Sequence, residues 1–199
     1  MSANELRNVR KGGGGARLHA ARGAGVRSSA DLRRARSRPA GMRRPDPSIR
    51  FRAARQDEAD ALTEIVMSAK ASWGYAPEQL EAWRPSLAVT RSQIQRQPVF
   101  VAEVARRIVG FYSLRVTADG CELDNCWIVP GQMRRGYGRA LLAHAIDSAR
   151  ARGAAAIRID ADPNAEPFYL ACGAVTVGRL HAPIPGLPSR CRPQMRLPL

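Results

Sequence analysis

Apolar residues recur with two different periods along the chain after residue 48. Residues 59–71 carry apolar side chains three and four positions apart, which is the spacing of an amphipathic helix. Residues 99–104 and 108–116 are apolar runs that predict two strands, joined as a hairpin across Ala105-Arg106-Arg107. The change from one period to the other and back predicts an α/β domain.

Residues typical of turns and helix ends mark the remaining elements of the chain. Pro77 suits the first turn of a second helix that runs to Trp83 or just past it, and Asp119-Gly120 suits a turn between strands. The later predicted elements are a strand over 123–129, a helix over 139–152 stopped by Gly153, a strand over 155–160, a helix over 166–172 stopped by Gly173, and a last strand at 195–197. The order predicts a mixed central sheet with helices on both faces.

The basic character of the chain lies mainly before this domain. The first fifty residues hold 13 of the 32 Lys and Arg residues and only 3 of the 17 Asp and Glu residues. They show no hydrophobic period, so residues 1–47 are predicted to be a disordered Arg/Gly-rich extension and 48–199 the folded domain. A solvated tail, or a natural start nearer Met42, is preferred over a nucleic-acid-binding arm, because the segment has no aromatic residue for base stacking.

Several function classes are disfavoured by composition. The chain has no apolar stretch long enough to span a membrane and no secretory signal pattern. Its four cysteines form no Cys-x-x-Cys pair, and His144 and His181 lie far from metal-ligand spacing, so no metal is expected. A reduced, cytoplasmic protein is expected, with Cys126 and Cys172 as small core residues rather than nucleophiles.

The strongest indication of function in the sequence is the run from Val129 to Leu142, VPGQMRRGYGRALL. A strand-like segment ends at proline, two arginines and two glycines follow, and a helix begins. This order leaves backbone N–H groups unpaired at a helix N-terminus, which is a binding site for phosphate. No Gly-Lys-Ser/Thr follows and the third glycine of a dinucleotide fingerprint is missing, which excludes the two commonest nucleotide loops.

The spacing Arg135-x-x-Gly138-x-Ala140 resembles the acyl-CoA loop of the GNAT acyltransferase superfamily. Further segments resemble that family in the same order between about residues 48 and 182. They are residues 49–54 with Asp57, residues 98–103, residues 108–112, residues 122–130, residues 156–159 and residues 168–174. The resemblance implies the GNAT fold and acetyl transfer from acetyl-CoA to a primary amine of a small molecule or a protein.

The resemblance also implies a set of cofactor-binding residues. Backbone N–H groups from Gly136 to Ala140 would hold the pyrophosphate, with nearby arginine charges, and the backbone of the fourth strand would pair with the pantetheine arm. One strand N–H would polarise the thioester carbonyl. The implied residues are Cys126, Trp127, Ile128, Arg134, Arg135, Gly136, Tyr137, Gly138, Arg139, Ala140, Asp162 and Asn164.

Catalysis is expected to need an acid and a base. Tyr169 matches the family's general acid for the departing thiolate, with core packing as its alternative role. Glu122 or Asp124, on one face of the fourth strand, is a candidate base, and a water chain could accept the proton instead. A cross-strand pair or a helix-facing hydrogen bond is the alternative role for each carboxylate. Asp162 stands where the family often has Asn, which leaves its cofactor contact in doubt, and Asn164 is a substitute.

The acceptor is not identified by the sequence. Trp73, Tyr75 and Trp83 cluster near the first two helices, either as an aromatic wall for a cationic amine or as helix packing. His181 and the loop over 183–188 are expected on the other side of the acceptor. A non-catalytic acyl-CoA-binding module of the same fold is the alternative function, and a homodimer is left open.

Overall fold

The computed structural model of the chain describes residues 48–117 and 120–199. The strands are β1 (Arg50–Ala53), β2 (Val99–Val104), β3 (Arg107–Thr117), β4 (Gly120–Ile128), β5 (Ala156–Asp160), β6 (Val175–His181) and β7 (Cys191–Pro198). The helices are α1 (Ala59–Ala71), α2 (Pro77–Leu87), α3 (Arg91–Arg96), α4 (Tyr137–Arg150) and α5 (Glu166–Leu170), with short 3-10 turns at Gln56–Glu58, Pro130–Gln132 and Pro163–Ala165.

All seven strands form one mixed sheet in the order β1-β2-β3-β4-β5-β7-β6. Strands β4 and β5 run parallel, and every other neighbouring pair is antiparallel. Two apolar clusters lie on opposite faces of this sheet: α4 and α5 pack into the larger one, and α1 and α3 into the other. The predicted fold class, a mixed sheet with helices on both faces, is confirmed.

Local sequence accounts for the main elements. In α1 the apolar stripe buries Leu62 and Val66 completely, which matches the predicted helical period. The β2–β3 hairpin turns at Ala105 and Arg106, both with positive φ, as a two-residue turn that follows the strand twist requires. Arg107 therefore belongs to β3 and not to the turn.

The clearest differences from the prediction are in helices α2 and α3 and in strand β6. Helix α2 continues past Pro85 to Leu87, and α3 was not predicted, because six residues are too few to show a period. Strand β6 was also missed: it is an edge strand whose residues are almost all exposed, so it lacks the alternating pattern. The predicted disordered extension at 1–47 and Asp119 of the predicted turn lie outside the described residues.

The sheet opens in its middle. Strands β4 and β5 pair only between Cys121–Leu123 and Ile157–Ile159, and then separate. A bulge between Ser113 and Leu114 of β3 shifts the register in the same region, so that Asn125 faces Ser113 and Leu123 faces Leu114. Past Leu123, the edge of β4 that faces β5 has no strand partner in the described residues.

Candidate active site

A cleft of about 560 Å³ lies where β4 and β5 part. Its walls are the end of β4, the start of α4, the segment after β5, and α5. The same cleft brings together many of the residues selected from the sequence, namely Trp73, Asp124, Cys126, Trp127, Ile128, Arg134, Gly136, Gly138, Arg139, Asp162, Asn164 and Tyr169.

The start of α4 presents unpaired backbone donors to this cleft. Gly136 is the N-cap and adopts a left-handed backbone with φ of 87°, which only glycine adopts without strain. The N–H groups of Gly138 and Arg139, in the first turn, have no carbonyl four residues earlier within the helix to bond. The N–H of Ala140, however, donates to the Gly136 carbonyl at 3.2 Å, so the prediction that Ala140 offers a free donor is corrected.

The side chains around this helix start divide into two groups. Arg134 and Arg139 line the cleft, and Arg139 also donates to the Ala171 carbonyl at 3.0 Å. Arg135, Tyr137 and Ala140 do not line it, and Tyr137 is buried in the larger apolar cluster. Tyr137 and Ala140 were predicted for their backbone N–H groups, and Arg135 for its place in the motif and its charge.

Gly138 has a packing reason to be glycine. A Cβ at this position would lie 3.3 Å from the Phe168 ring of α5. The ring itself lines the cleft, as does Met133. Neither Phe168 nor Met133 was selected from the sequence, because an apolar side chain carries no chemical signal of its own.

Tyr169 is the buried acid candidate of the cleft. Its side chain is almost fully buried on α5 and lies beside the Cys126 side chain of β4. Burial, and then the neighbouring Cys126, raise the pKa of Tyr169 well above its usual value, so the hydroxyl stays protonated at neutral pH. Burial also raises the pKa of Cys126 to about 12, which leaves that thiol protonated and argues against a nucleophile.

The two candidate bases face different cavities. Asp124 lines the cleft, and Arg115 contacts it at 3.2 Å. Glu122 is buried, forms ion pairs with Arg115 and Arg158, and lines a second cavity on the sheet. Of the two, Asp124 has the position that a base for the cleft requires.

Asp162 is the centre of a buried polar network beside the cleft. Its carboxylate accepts from Lys70 Nζ at 2.9 Å, from the Tyr75 hydroxyl at 2.9 Å and from Arg190 Nη2 at 3.2 Å. It also accepts from the Asn164 backbone N–H at 3.0 Å. Burial opposes the charge of Asp162, but Lys70 and these hydrogen bonds outweigh it, and the pKa of Asp162 is lowered.

Aromatic rings surround the Lys70 ammonium. Its Nζ lies 4.6 Å from the Trp83 ring centroid, 5.3 Å from that of Tyr75 and within 5.9 Å of those of Trp73 and Trp127. Burial lowers the pKa of Lys70 despite the attraction of Asp162. The position that the sequence suggested for a substrate cation therefore holds a side chain of the protein itself, and Tyr75 does not line the cleft.

A match to a known family decides how this geometry is interpreted. The model of the acetyltransferase (GNAT) family matches residues 60–174, more than half of the chain. The chain belongs to the GNAT acetyltransferase family. The matched residues include the cleft walls from Trp73 to Tyr169, so the start of α4 and the open edge of β4 lie inside the acetyltransferase domain. Acetyl transfer that depends on acyl-CoA is the activity of this family.

Solved structures show the same fold as this GNAT acetyltransferase. The PaiA N-acetyltransferase of Thermoplasma acidophilum, in complex with coenzyme A, has a TM-score of 0.62 at 18% identity, over 76% of this chain and 99% of its own. A GCN5-related N-acetyltransferase of Rhodopseudomonas palustris has a TM-score of 0.64 at 23% identity, over 76% and 96%. The ribosomal-protein-S18-alanine N-acetyltransferase of Escherichia coli has a TM-score of 0.58 at 22% identity, over 75% and 93%.

No curated protein matches the sequence of this acetyltransferase. Within residues 48–117 and 120–199, no helix has the length and apolarity to cross a bilayer, and no three His, Cys, Asp or Glu side chains come together as metal ligands.

Proposed function

We propose that this acetyltransferase moves the acetyl group directly from acetyl-CoA to a primary amine, with Tyr169 as the general acid. One observation carries the proposal. A buried, protonated tyrosine lies in the same cleft as a helix start with unpaired N–H groups and a strand edge without a partner. Each of these three parts suits a different part of an acyl-CoA.

The residues present fit the cofactor. The unpaired N–H groups at the start of α4, with the charges of Arg134 and Arg139, suit the pyrophosphate. The backbone of Cys126, Trp127 and Ile128 lies along the open edge of β4 and suits an extended arm with amide groups. The Asn164 side-chain amide already donates to Asp162 at 3.0 Å, so its role in cofactor binding is indirect.

The proton steps follow from the side chains of the cleft. When bound, acetyl-CoA supplies an acetyl group already activated as a thioester. The hydroxyl of Tyr169 holds a proton that it gives to the sulfur as the carbon–sulfur bond breaks. Asp124, directly or through water, takes the proton that the amine nitrogen loses as the new carbon–nitrogen bond forms. A strand N–H of β4 stabilises the charge on the carbonyl oxygen.

The environment of the protein is part of the proposal. Cys121, Cys126, Cys172 and Cys191 are free thiols. Free thiols are typical of the reducing cytoplasm, where we place the enzyme.

Turnover of acetyl-CoA tests the proposal against the alternative of a non-catalytic acyl-CoA-binding module. The experiment measures free thiol released from acetyl-CoA across amines, amino acids, aminoglycosides and peptides, together with the Kd of acetyl-CoA. Thiol release that requires an amine, with acetylated amine found by mass spectrometry, supports the enzyme. Tight acetyl-CoA binding without turnover of any amine would contradict it and support the module.

A further inference from the structure

A second cavity, of about 530 Å³, adjoins the cleft on the sheet. The two cavities share Leu123, Ile159 and Asp160 in their walls, at the point where β4 and β5 part. The two cavities therefore meet at these three residues. We call this second cavity the arginine groove.

The arginine groove is lined by alternate residues of neighbouring strands. Arg192, Gln194 and Arg196 are two residues apart on β7 and face the same side of the sheet. Arg158 of β5 is paired in register with Arg196, and Arg179 comes from β6. Four guanidinium groups and two carboxylates line the groove, so its lining carries excess positive charge.

Two of these arginines already donate hydrogen bonds to other side chains. Arg158 donates to Glu122 at 3.0 Å and to the Thr117 hydroxyl at 3.1 Å. Arg179 donates to Glu166 at 2.9 Å on the rim of the groove. These pairs neutralise part of the charge and leave Arg192 and Arg196 as the donors to consider.

Arg192 and Arg196 have unused capacity to bind an anion. Arg192 contacts Asp160 at 3.2 Å through Nη2, whereas its Nε is buried and has no hydrogen-bond partner among the described residues. A buried N–H without a partner is rare in folded proteins and calls for an explanation. Arg196 is exposed, and no carboxylate of the described chain lies within 4.0 Å of it.

The groove also has room for a ligand group. Gly178 of β6 lies against Gln194, and a Cβ at this glycine would be 3.9 Å from the Gln194 Cβ. A side chain at position 178 would thus fit without backbone strain and would project into the groove. Its absence leaves open space beside Arg192 and Arg196.

We propose that the amine acceptor carries an oxyanion, a carboxylate or a phosphate, and that Arg192 and Arg196 bind it in the arginine groove while its amine reaches the cleft. This inference rests on the proposed acetyl transfer and names the class of its acceptor. Guanidinium groups suit both oxyanions because they donate two parallel hydrogen bonds. The rings around Lys70 do not serve a cationic acceptor, because Lys70 already occupies them.

Matched acceptors test the inference. The value of kcat/KM is measured for β-alanine and 4-aminobutyrate against their carboxamides, and for phosphoethanolamine against ethanolamine. We expect at least one anionic member to exceed its neutral partner by about tenfold or more, and the pair that does so distinguishes carboxylate from phosphate. In Arg192→Gln and Arg196→Gln this ratio should fall to near one, with the KM of the anionic amine raised and the KM of acetyl-CoA unchanged.

Two further variants separate binding from folding. Gly178→Val should fill the groove and raise the KM of the anionic acceptor without removing a charge. Arg91→Gln, on the exposed start of α3, removes one positive charge away from the groove and should leave the ratio as it is in the wild type.

The possible failures are distinguishable. Turnover without preference for the anionic member, or with a preference that both arginine variants retain, overturns the inference and leaves acetyl transfer intact. If no amine is turned over, acetyl transfer itself fails. Calorimetric titration with succinate and with inorganic phosphate then tests whether the arginine groove binds an anion. If no saturable binding depends on Arg192 and Arg196, the inference is overturned.

Discussion

At the scale of single residues, Asp162 shows what sequence comparison reveals and what it omits. The sequence marks it as a departure from the Asn that the GNAT resemblance implies. The structure supplies the reason, since Lys70 and Arg190 both contact this carboxylate in a buried site. These partners lie 92 and 28 positions away along the chain, so no local sequence pattern predicts the contacts.

Removal of one member of this network should destabilise the fold. Lys70→Met leaves the Asp162 carboxylate buried without its nearest cation, and we expect unfolding free energy to fall by about 3 kcal/mol in urea titration. The double variant Lys70→Met with Asp162→Asn should lose less than the sum of the two single changes, because neither charge is then left alone. Additive losses would contradict the coupling.

The control is an exposed ion pair on the neighbouring helix. Arg84 of α2 contacts Glu64 at 2.7 Å, and both side chains are largely exposed. Arg84→Met should lower the unfolding free energy far less than Lys70→Met does, because water screens an exposed ion pair.

At the scale of elements, the sequence predicted a helix after the glycine-containing loop, but it placed the start of α4 at residue 139 and not at Tyr137. The sequence indicates a loop followed by a phosphate-binding helix, and two glycines one residue apart compete for the left-handed position. Gly136 takes it, with φ of 87°, whereas Gly138 lies inside α4 and is packed against the Phe168 ring. That packing comes from α5, about thirty residues later, which a motif of six residues does not contain.

The geometry of Gly136 leads to a prediction about cofactor binding. Gly136→Ala should weaken acetyl-CoA binding several-fold and lower the unfolding free energy by about 1 to 2 kcal/mol, because a Cβ is strained at this φ. Gly131→Ala is the matched control, since Gly131 lies in the preceding turn, has no positive φ and has open space around a Cβ. Equal effects of the two changes on acetyl-CoA affinity would contradict the role assigned to Gly136.

At the scale of the whole molecule, the sequence predicted the centre of the fold better than its edges. Strands β2 to β5 and helices α1 and α4 are buried on at least one face, and burial imposes a hydrophobic period. Strand β6 is exposed along most of its length and carries no such period. The arginine groove escaped prediction for a related reason: its arginines come from β5, β6 and β7, and only the sheet order brings them together.

An ion network at the β1 edge of the sheet predicts the response of the protein to acid. Glu58, at the start of α1, is buried and hydrogen-bonds Arg52 of β1 at 2.7 Å. The bond from Arg52 lowers the pKa of Glu58 in the folded state, in spite of burial. A lowered pKa contributes stability that is present above the ordinary carboxyl range and is lost as pH falls through the folded-state value.

Glu58→Gln should therefore be less stable than the wild type by about 2 kcal/mol at pH 7, and this difference should shrink below about pH 4.5. Urea unfolding at pH 7, 5 and 3.5 measures it. Asp57→Asn serves as the control, because Asp57 is adjacent but exposed, and should differ little from the wild type at each pH. A difference for Glu58→Gln that stays constant with pH would contradict the assignment.

The most direct test of the account is the single-turnover rate of Tyr169→Phe with saturating acetyl-CoA and amine. Loss of the proton donor should lower the rate by about 10²-fold, while the Kd of acetyl-CoA changes less than about twofold. Tyr112→Phe is the control, because Tyr112 is also fully buried, with a pKa raised by burial to about 12, but lies outside the cleft beside His144. A rate for Tyr169→Phe equal to those of the wild type and Tyr112→Phe would contradict the role of Tyr169 as the acid.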